Sequence, residues 1–189
     1  INFVYYIGGK VELLTNGTGL TAVVFLPLIS ALILTAIPKS QELLIKGFAL
    51  VSSIVTFIIS ALLLPQFDFS NADKLQLGNK ISWIKSINAN YEIGIDGISL
   101  PLLILSTFIT VLAIIYSIEH LPEPKSPKGF LALILVLETG MNGTFVALDL
   151  ILFFVFFEIV LLPMYFMIGI WGDKTVRTVA GFKNQIETR

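Results

Sequence analysis

Residues 150–171 read LILFFVFFEIVLLPMYFMIGIW, and they hold one charge, Glu158. A helix of that length rises about 33 Å at 1.5 Å per residue, enough to cross about 30 Å of hydrocarbon. A strand is a poor alternative. An open sheet cannot satisfy its backbone in lipid, and a barrel strand would alternate apolar with polar residues. Working outward from this run, the same pattern returns four times. Residues 129–148 form an apolar run with one charge, Glu138, and 97–118, 47–67 and 13–38 contain no Asp, Glu, Lys or Arg. The last has its apolar core at 20–37. The sequence therefore predicts an all-α polytopic bundle of five transmembrane helices.

Composition agrees. Of 189 residues, 56% are hydrophobic and 13% charged, with mean hydropathy +0.90 and net charge −1. Soluble domains carry about 25% charged residues, so a soluble surface could not be covered here. The near balance of 12 basic and 13 acidic residues leaves no excess to neutralise phosphates, which excludes nucleic acid as a main partner. The lipid bilayer is the implied one. Cysteine is absent and histidine occurs once. Iron–sulfur clusters, disulfides, the usual structural zinc sites and bis-histidine haem are thereby excluded from this stretch. No cofactor is expected to bind in it.

Polar segments divide the chain. Residues 1–19 form an N-terminal arm, 20–65 the first two helices, 66–96 an extramembrane loop, 97–172 the last three helices, and 173–189 a tail or loop. Within 66–96, Ser82-Trp83-Ile84 and Asn90-Tyr91-Glu92 suggest a short hairpin or an interfacial segment. Asp96 and Asp149 stand where N-caps of the third and fifth helices are needed. With five spans, one side carries Lys39, Lys46, Lys125, Lys128, Lys174, Arg177, Lys183 and Arg189; the other carries Lys10, Lys74, Lys80 and Lys85. The positive-inside rule puts the arm and the long loop outside and the tail in the cytoplasm or its equivalent. The chain begins with Ile1 and ends in a polar run, and it reads as part of a longer protein with no signal peptide.

Two carboxylates stand in the membrane. An ionised carboxylate in lipid costs at least about 2.5–3.5 kcal/mol, so such a residue is retained where it faces a bundle interior, a water path or a partner. Glu158 is the sharper candidate for a proton pathway. Glu138 precedes the turn at Leu148 by ten residues and Glu158 follows it by ten, so each lies about 15 Å from the turn, near the midplane. Carboxyl groups sharing a dry site suit proton uptake and release. Gly140 and Gly143 leave room for water or close helix approach, and Pro163 removes a hydrogen bond to the carbonyl of Ile159. His120, at the end of the third helix, reads as an interfacial residue that could gather protons.

Residues 147–159, ALDLILFFVFFEI, and 162–172, LPMYFMIGIWG, resemble chain 4, or subunit M, of the proton-translocating NADH–quinone oxidoreductase family (respiratory complex I). Gly94-Ile95-Asp96-Gly97-Ile98-Ser99-Leu100-Pro101 and Leu137-Glu138-Thr139-Gly140-Met141 resemble the same subunit, in the right order. The resemblance implies a fourteen-helix antiporter-like subunit in the membrane arm of a multi-pass complex of the cell inner membrane. Its partners would be the other membrane-arm subunits. It would bind no redox cofactor itself, and NADH and quinone would be used by the whole complex. Glu158 matches the family's fifth-helix glutamate, though Phe157 stands where Trp is common, and Glu138 matches its fourth-helix glutamate. The family's buried lysine would lie beyond Arg189, and 173–189 is longer than the turn the pattern leads one to expect. The alternative is the D-type subunit of a multisubunit sodium/proton antiporter. Membrane-bound hydrogenase and photosynthetic relatives are allied to both. A structural membrane scaffold is the reading from a different class, and the placement of the carboxylates argues against it.

Overall fold

The computed structural model describes residues 17–87, 89–121 and 126–172. The N-terminal arm as far as residue 16, Pro122, Pro124, Lys125 and the 173–189 segment with its basic residues lie outside these. The described helices are α1 (Thr18–Ala36), α2 (Glu42–Leu62), α3 (Ser99–Glu119), α4 (Pro127–Val146) and α5 (Leu150–Trp171). All five are long and apolar enough to cross a membrane. Helix α2 begins five residues before its charge-free run. Glu42 and Lys46 continue the helical hydrogen bonding outside the apolar stretch, and an acid in the first turn suits the helix dipole. Helix α5 runs unbroken through Pro163.

The polar segment between α2 and α3 folds as a hairpin, β1 (Gln76–Ile84) against β2 (Ala89–Ile95), antiparallel. Lys80 faces Glu92 across it, with an ion pair at 2.7 Å. The hairpin is docked on the bundle. The Leu148 N–H donates to the Glu92 carbonyl at 2.9 Å, and Ala147 forms a bridge with Ile93. Asp149 caps α5 by accepting from the N–H groups of Ile151 (2.9 Å) and Leu152 (3.2 Å), and its other oxygen accepts from the Asn90 N–H at 3.0 Å. The expected cap therefore has a second task, holding β2 to the start of α5. Asp96 likewise accepts from the Ser99 and Ile98 N–H groups at 2.7 and 3.0 Å at the entry to α3.

At the opposite end, two lysines take up helix C-terminal carbonyls that would otherwise lack donors. Lys46 donates to Ile118 at 3.2 Å and Lys128 to Ile37 at 2.7 Å. Two of the basic residues counted for orientation thus also tie α2 to α3 and α4 to the end of α1.

Helix α4 is the centre of the bundle and packs against each of the other four helices. It approaches α5 closely through two glycines. A methyl group on Gly140 would lie 2.7 Å from Val160 Cγ2 and 2.9 Å from the Val160 nitrogen, and one on Gly143 would run into the ring of Phe156. Of the two uses considered for these glycines, close helix approach is the one found.

Apolar side chains gather in two clusters, one toward each end. The hairpin end holds Val23, Leu63, Ile93, Leu103, Val146 and Phe156 among others. The other holds Leu34, Ile45, Ala49, Ile114 and Leu135. Between them, every helix from α1 to α4 turns polar residues inward: Ser30; Ser52, Ser53, Thr56 and Ser60; Ser106, Thr107 and Thr110; Glu138, Thr139 and Asn142. The fold is a bundle with a polar layer across its middle.

Hydrogen bonds from Asn90, then from Leu152 and Ile151, with the charge of Lys80, hold the Asp149 carboxyl below its ordinary range. A group lowered on folding contributes stability above its unfolded value and loses it as pH falls through the folded one. Hydrogen exchange should therefore find the Asn90 and Leu152 amides protected at neutral pH and less protected in acid. Asp149→Ala should remove that protection at neutral pH as well, while amides inside α3 stay unchanged.

Candidate functional site

The Glu138 side chain is fully buried on the central helix, inside the polar layer. Among the described residues neither of its oxygens has a hydrogen-bond partner. An ionised carboxylate left in that state would cost several kcal/mol, so the group needs a proton or a polar partner.

The surrounding hydroxyls are committed elsewhere. In lipid a serine or threonine satisfies itself most readily on the carbonyl three or four residues back. Thr56 donates to Ser52 (3.1 Å), Thr110 to Ser106 (3.0 Å) and Thr139 to Leu135 (3.2 Å). Ser60 and Thr107 lie 2.8 Å apart and link α2 to α3.

Asn142 lies one turn from Glu138 on the same helix. Its amide nitrogen donates to the backbone carbonyl of Val23 at 3.2 Å, and its amide oxygen accepts from Ser106 at 3.3 Å. The Val23 carbonyl is open because Pro27, inside α1, has no N–H to give it. One amide thus ties α4 to both α1 and α3 at the level of the layer. Pro27, Asn142, Ser52 and Ser106 were not singled out from the sequence. The signals were there: a proline inside a charge-free span, and the one Asn within a span, four residues after a membrane glutamate.

Glu158 is placed differently. It lies on the exposed face of α5, beside Phe154, Phe157, Leu161 and Leu162, while Leu152, Phe156 and Pro163 face the bundle. The two glutamates do not share a site within these five helices. Gly140 lies against Ile159 and Val160, and Gly143 against Phe156, so Glu138 is level with about Leu161. The depths differ by about one turn, roughly 5 Å. Equal depth would need helices symmetric about Leu148, and the packing is offset from that by about three residues. His120 sits at the end of α3 with its ring stacked on Tyr116, centroids 4.6 Å apart, at the bundle's edge.

Five helices long and apolar enough to cross a membrane, packed around a buried carboxyl, define a polytopic membrane protein. Residues 22–144 match the family described as NADH-ubiquinone oxidoreductase chain 4, amino terminus, and residues 147–189 match NADH:quinone oxidoreductase/Mrp antiporter, TM. The chain belongs to the NADH-ubiquinone oxidoreductase chain 4 family. The second match runs through 173–189, the stretch whose length departs from the family pattern as read from the sequence. Among curated relatives, NADH-ubiquinone oxidoreductase chain 4 of Marchantia polymorpha is 36% identical over 166 residues, 88% of this chain and 33% of that one. NAD(P)H-quinone oxidoreductase chain 4 of Gloeobacter violaceus is 37% identical over 82% of this chain and 28% of its own. F(420)H(2) dehydrogenase subunit M of Methanosarcina mazei is 34% identical over 87% and 32%. The chain spans about a third of the length of these relatives.

Asn142→Leu should leave the Val23 carbonyl unpaired and lower stability by about 1–3 kcal/mol. Adding Pro27→Ala returns a backbone N–H to that carbonyl and should recover part of the loss. A double-mutant cycle on the thermal midpoint of the full subunit in detergent would then show favourable coupling between the two changes. Additive losses would mean that the carbonyl is not what joins them.

Proposed function

We propose that this chain is part of a membrane-arm subunit of a quinone oxidoreductase complex, one that moves protons across an energy-coupling membrane while quinone is reduced elsewhere in the complex. The observation that carries this reading is the Glu138 carboxyl, buried at mid-depth on the central helix of a chain 4 family member without a partner among the described residues. Glu138 and Glu158 are the proton-carrying residues. Glu138 serves the interior of the five helices. Glu158, on the outer face of α5, serves the surface where that face meets further protein. The apolar remainder of that face suits contact with the rest of the subunit, neighbouring membrane-arm subunits and lipid.

No cofactor binds in this stretch under this reading, and NADH, or another donor, and quinone are used by the complex. Relatives named for NADH, NAD(P)H and F(420)H(2) support leaving the donor open. The 66–96 hairpin lies outside, and the lysines at the ends of α2 and α4 lie on the cytoplasmic side of the cell inner membrane. A second reading, a subunit of a multisubunit sodium/proton antiporter, is favoured by the match of 147–189 to a description that includes the Mrp antiporter. It would use the same carboxyl chemistry without a redox partner.

Glu138→Gln and Glu158→Gln, each in the assembled complex in native membranes, should cut proton pumping about tenfold or more, since each removes a transferable proton. Pumping per electron, measured with dye-loaded vesicles, checks this, and full pumping in both variants would refute the role. Copurification with quinone reductase subunits favours the first reading, and copurification with antiporter subunits alone favours the second.

A further inference from the structure

Helices α1 and α5 both pack on α4 but barely touch each other. The hairpin leans across the gap between them. Tyr91, paired with Ile81 across the strands, donates its hydroxyl to Thr21 of α1 at 3.1 Å. Its ring lies 6.2 Å from that of Phe25, and Phe25 lies 6.2 Å from Phe156 of α5. Phe25, Tyr91 and Ile81 form a ridge with a groove on each side, and all three line both grooves. One groove, of about 390 Å³, lies toward α5, against Trp83, Leu152, Val155 and Ile159. The other, of about 440 Å³, follows one stripe of α1 through Thr18, Ala22, Leu26 and Ile29, with Asn79 of the hairpin beside it.

Depth, polarity and number together select an occupant. Thr18 to Ile29 is about 16 Å of helix. That is close to half of the roughly 30 Å of hydrocarbon, so the groove runs the depth of one leaflet. The deep walls are apolar, while Thr18, Asn79, Ser82, Trp83 and Tyr91 stand toward the surface, where aromatic rings mark the passage from hydrocarbon to headgroups. An extended peptide would leave its backbone unsatisfied against such walls, whereas a hydrocarbon chain has nothing to satisfy. A further transmembrane helix needs a path through both surfaces and would meet the hairpin at this one. A methylene takes about the room of a water molecule, roughly 30 Å³, so each groove holds about a dozen carbons. Two such grooves sharing one ridge suit two tails joined at one head.

We propose that the ridge of Phe25, Tyr91 and Ile81 seats a diacyl phospholipid of the hairpin-side leaflet, with one tail in each groove. The tail on the α5 side fills the gap that α1 and α5 leave. It covers Phe156, whose ring lies against Gly143 of α4. The lipid thus completes the wall of the bundle where two helices fail to meet. The site stands independently of the proton-translocating reading above.

Photo-crosslinking tests it on the assembled complex in phosphatidylethanolamine vesicles doped with the same lipid carrying a diazirine midway along one tail. Peptide mass spectrometry should find adducts in both grooves, at 22–29 of α1 and 152–159 of α5. Val155→Trp fills one groove and Ala22→Phe the other. Each should cost most of the labelling in both grooves, because the two tails belong to one molecule. Labelling of Ile54 and Ile58, on the exposed face of α2, should stay unchanged and reports that the variants are folded. The proposal is overturned if the grooves stay unlabelled in the wild type while α2 is labelled, which would mean that protein covers them. It is overturned equally if each variant clears only its own groove, or if a long-tailed quinone displaces the label and excess phosphatidylethanolamine does not.

Discussion

Hydrocarbon offers no hydrogen bonds, and every polar group in this bundle is arranged under that constraint. Most serines and threonines of the layer return their protons to their own helices. Lysines at the membrane edge reach the carbonyls that end α1 and α3. Where Pro27 withholds a donor from Val23, an amide from another helix supplies one. The exceptions are few among the described residues, and within the five helices the buried ones are on Ser52 and Glu138. A bundle that satisfies nearly everything else concentrates its unmet hydrogen-bonding capacity at one carboxyl, and that gives the carboxyl its chemical meaning.

The close packing of α4 follows from the same constraint. Lipid tails are as apolar as leucine, so helices gain little by exchanging lipid for one another. Close backbone approach through small residues supplies attraction instead. Gly140 and Gly143 let α5 come against α4, and α4 in turn touches every other helix. The polar layer is thereby sealed from lipid on the α5 side, although α5 itself is largely exposed.

Much of this was legible in the sequence. The five spans follow from runs without charge, because length and hydropathy are enough to mark a helix in lipid. Asp96 and Asp149 were readable as caps from position alone, and Ser82-Trp83-Ile84 with Asn90-Tyr91-Glu92 suggested the hairpin that forms. Which way each glutamate points was not legible. Glu138 and Glu158 have similar apolar flanks, and their facing is decided by the crossing of α4 with α5, a contact set by Gly140 and Gly143. The role of Asn142 was hidden for a related reason. Its partner Val23 is 119 residues away, and only tertiary packing brings the opened carbonyl of α1 to it.

The central position of α4 bears on how the protein is made. Synthesis delivers α1, α2 and α3 first, together with the serines and threonines that line the middle of the bundle. Until α4 follows, the Val23 carbonyl has no Asn142, and Ser106 has no amide to bond. A nascent chain at that stage holds an open polar seam at mid-membrane. The hairpin residues, by contrast, all precede α4 in the chain, and Asn90 and Glu92 bond the turn that α4 and α5 share. Helices α4 and α5 thus meet an anchor at one surface and an open seam within, and they close both at once.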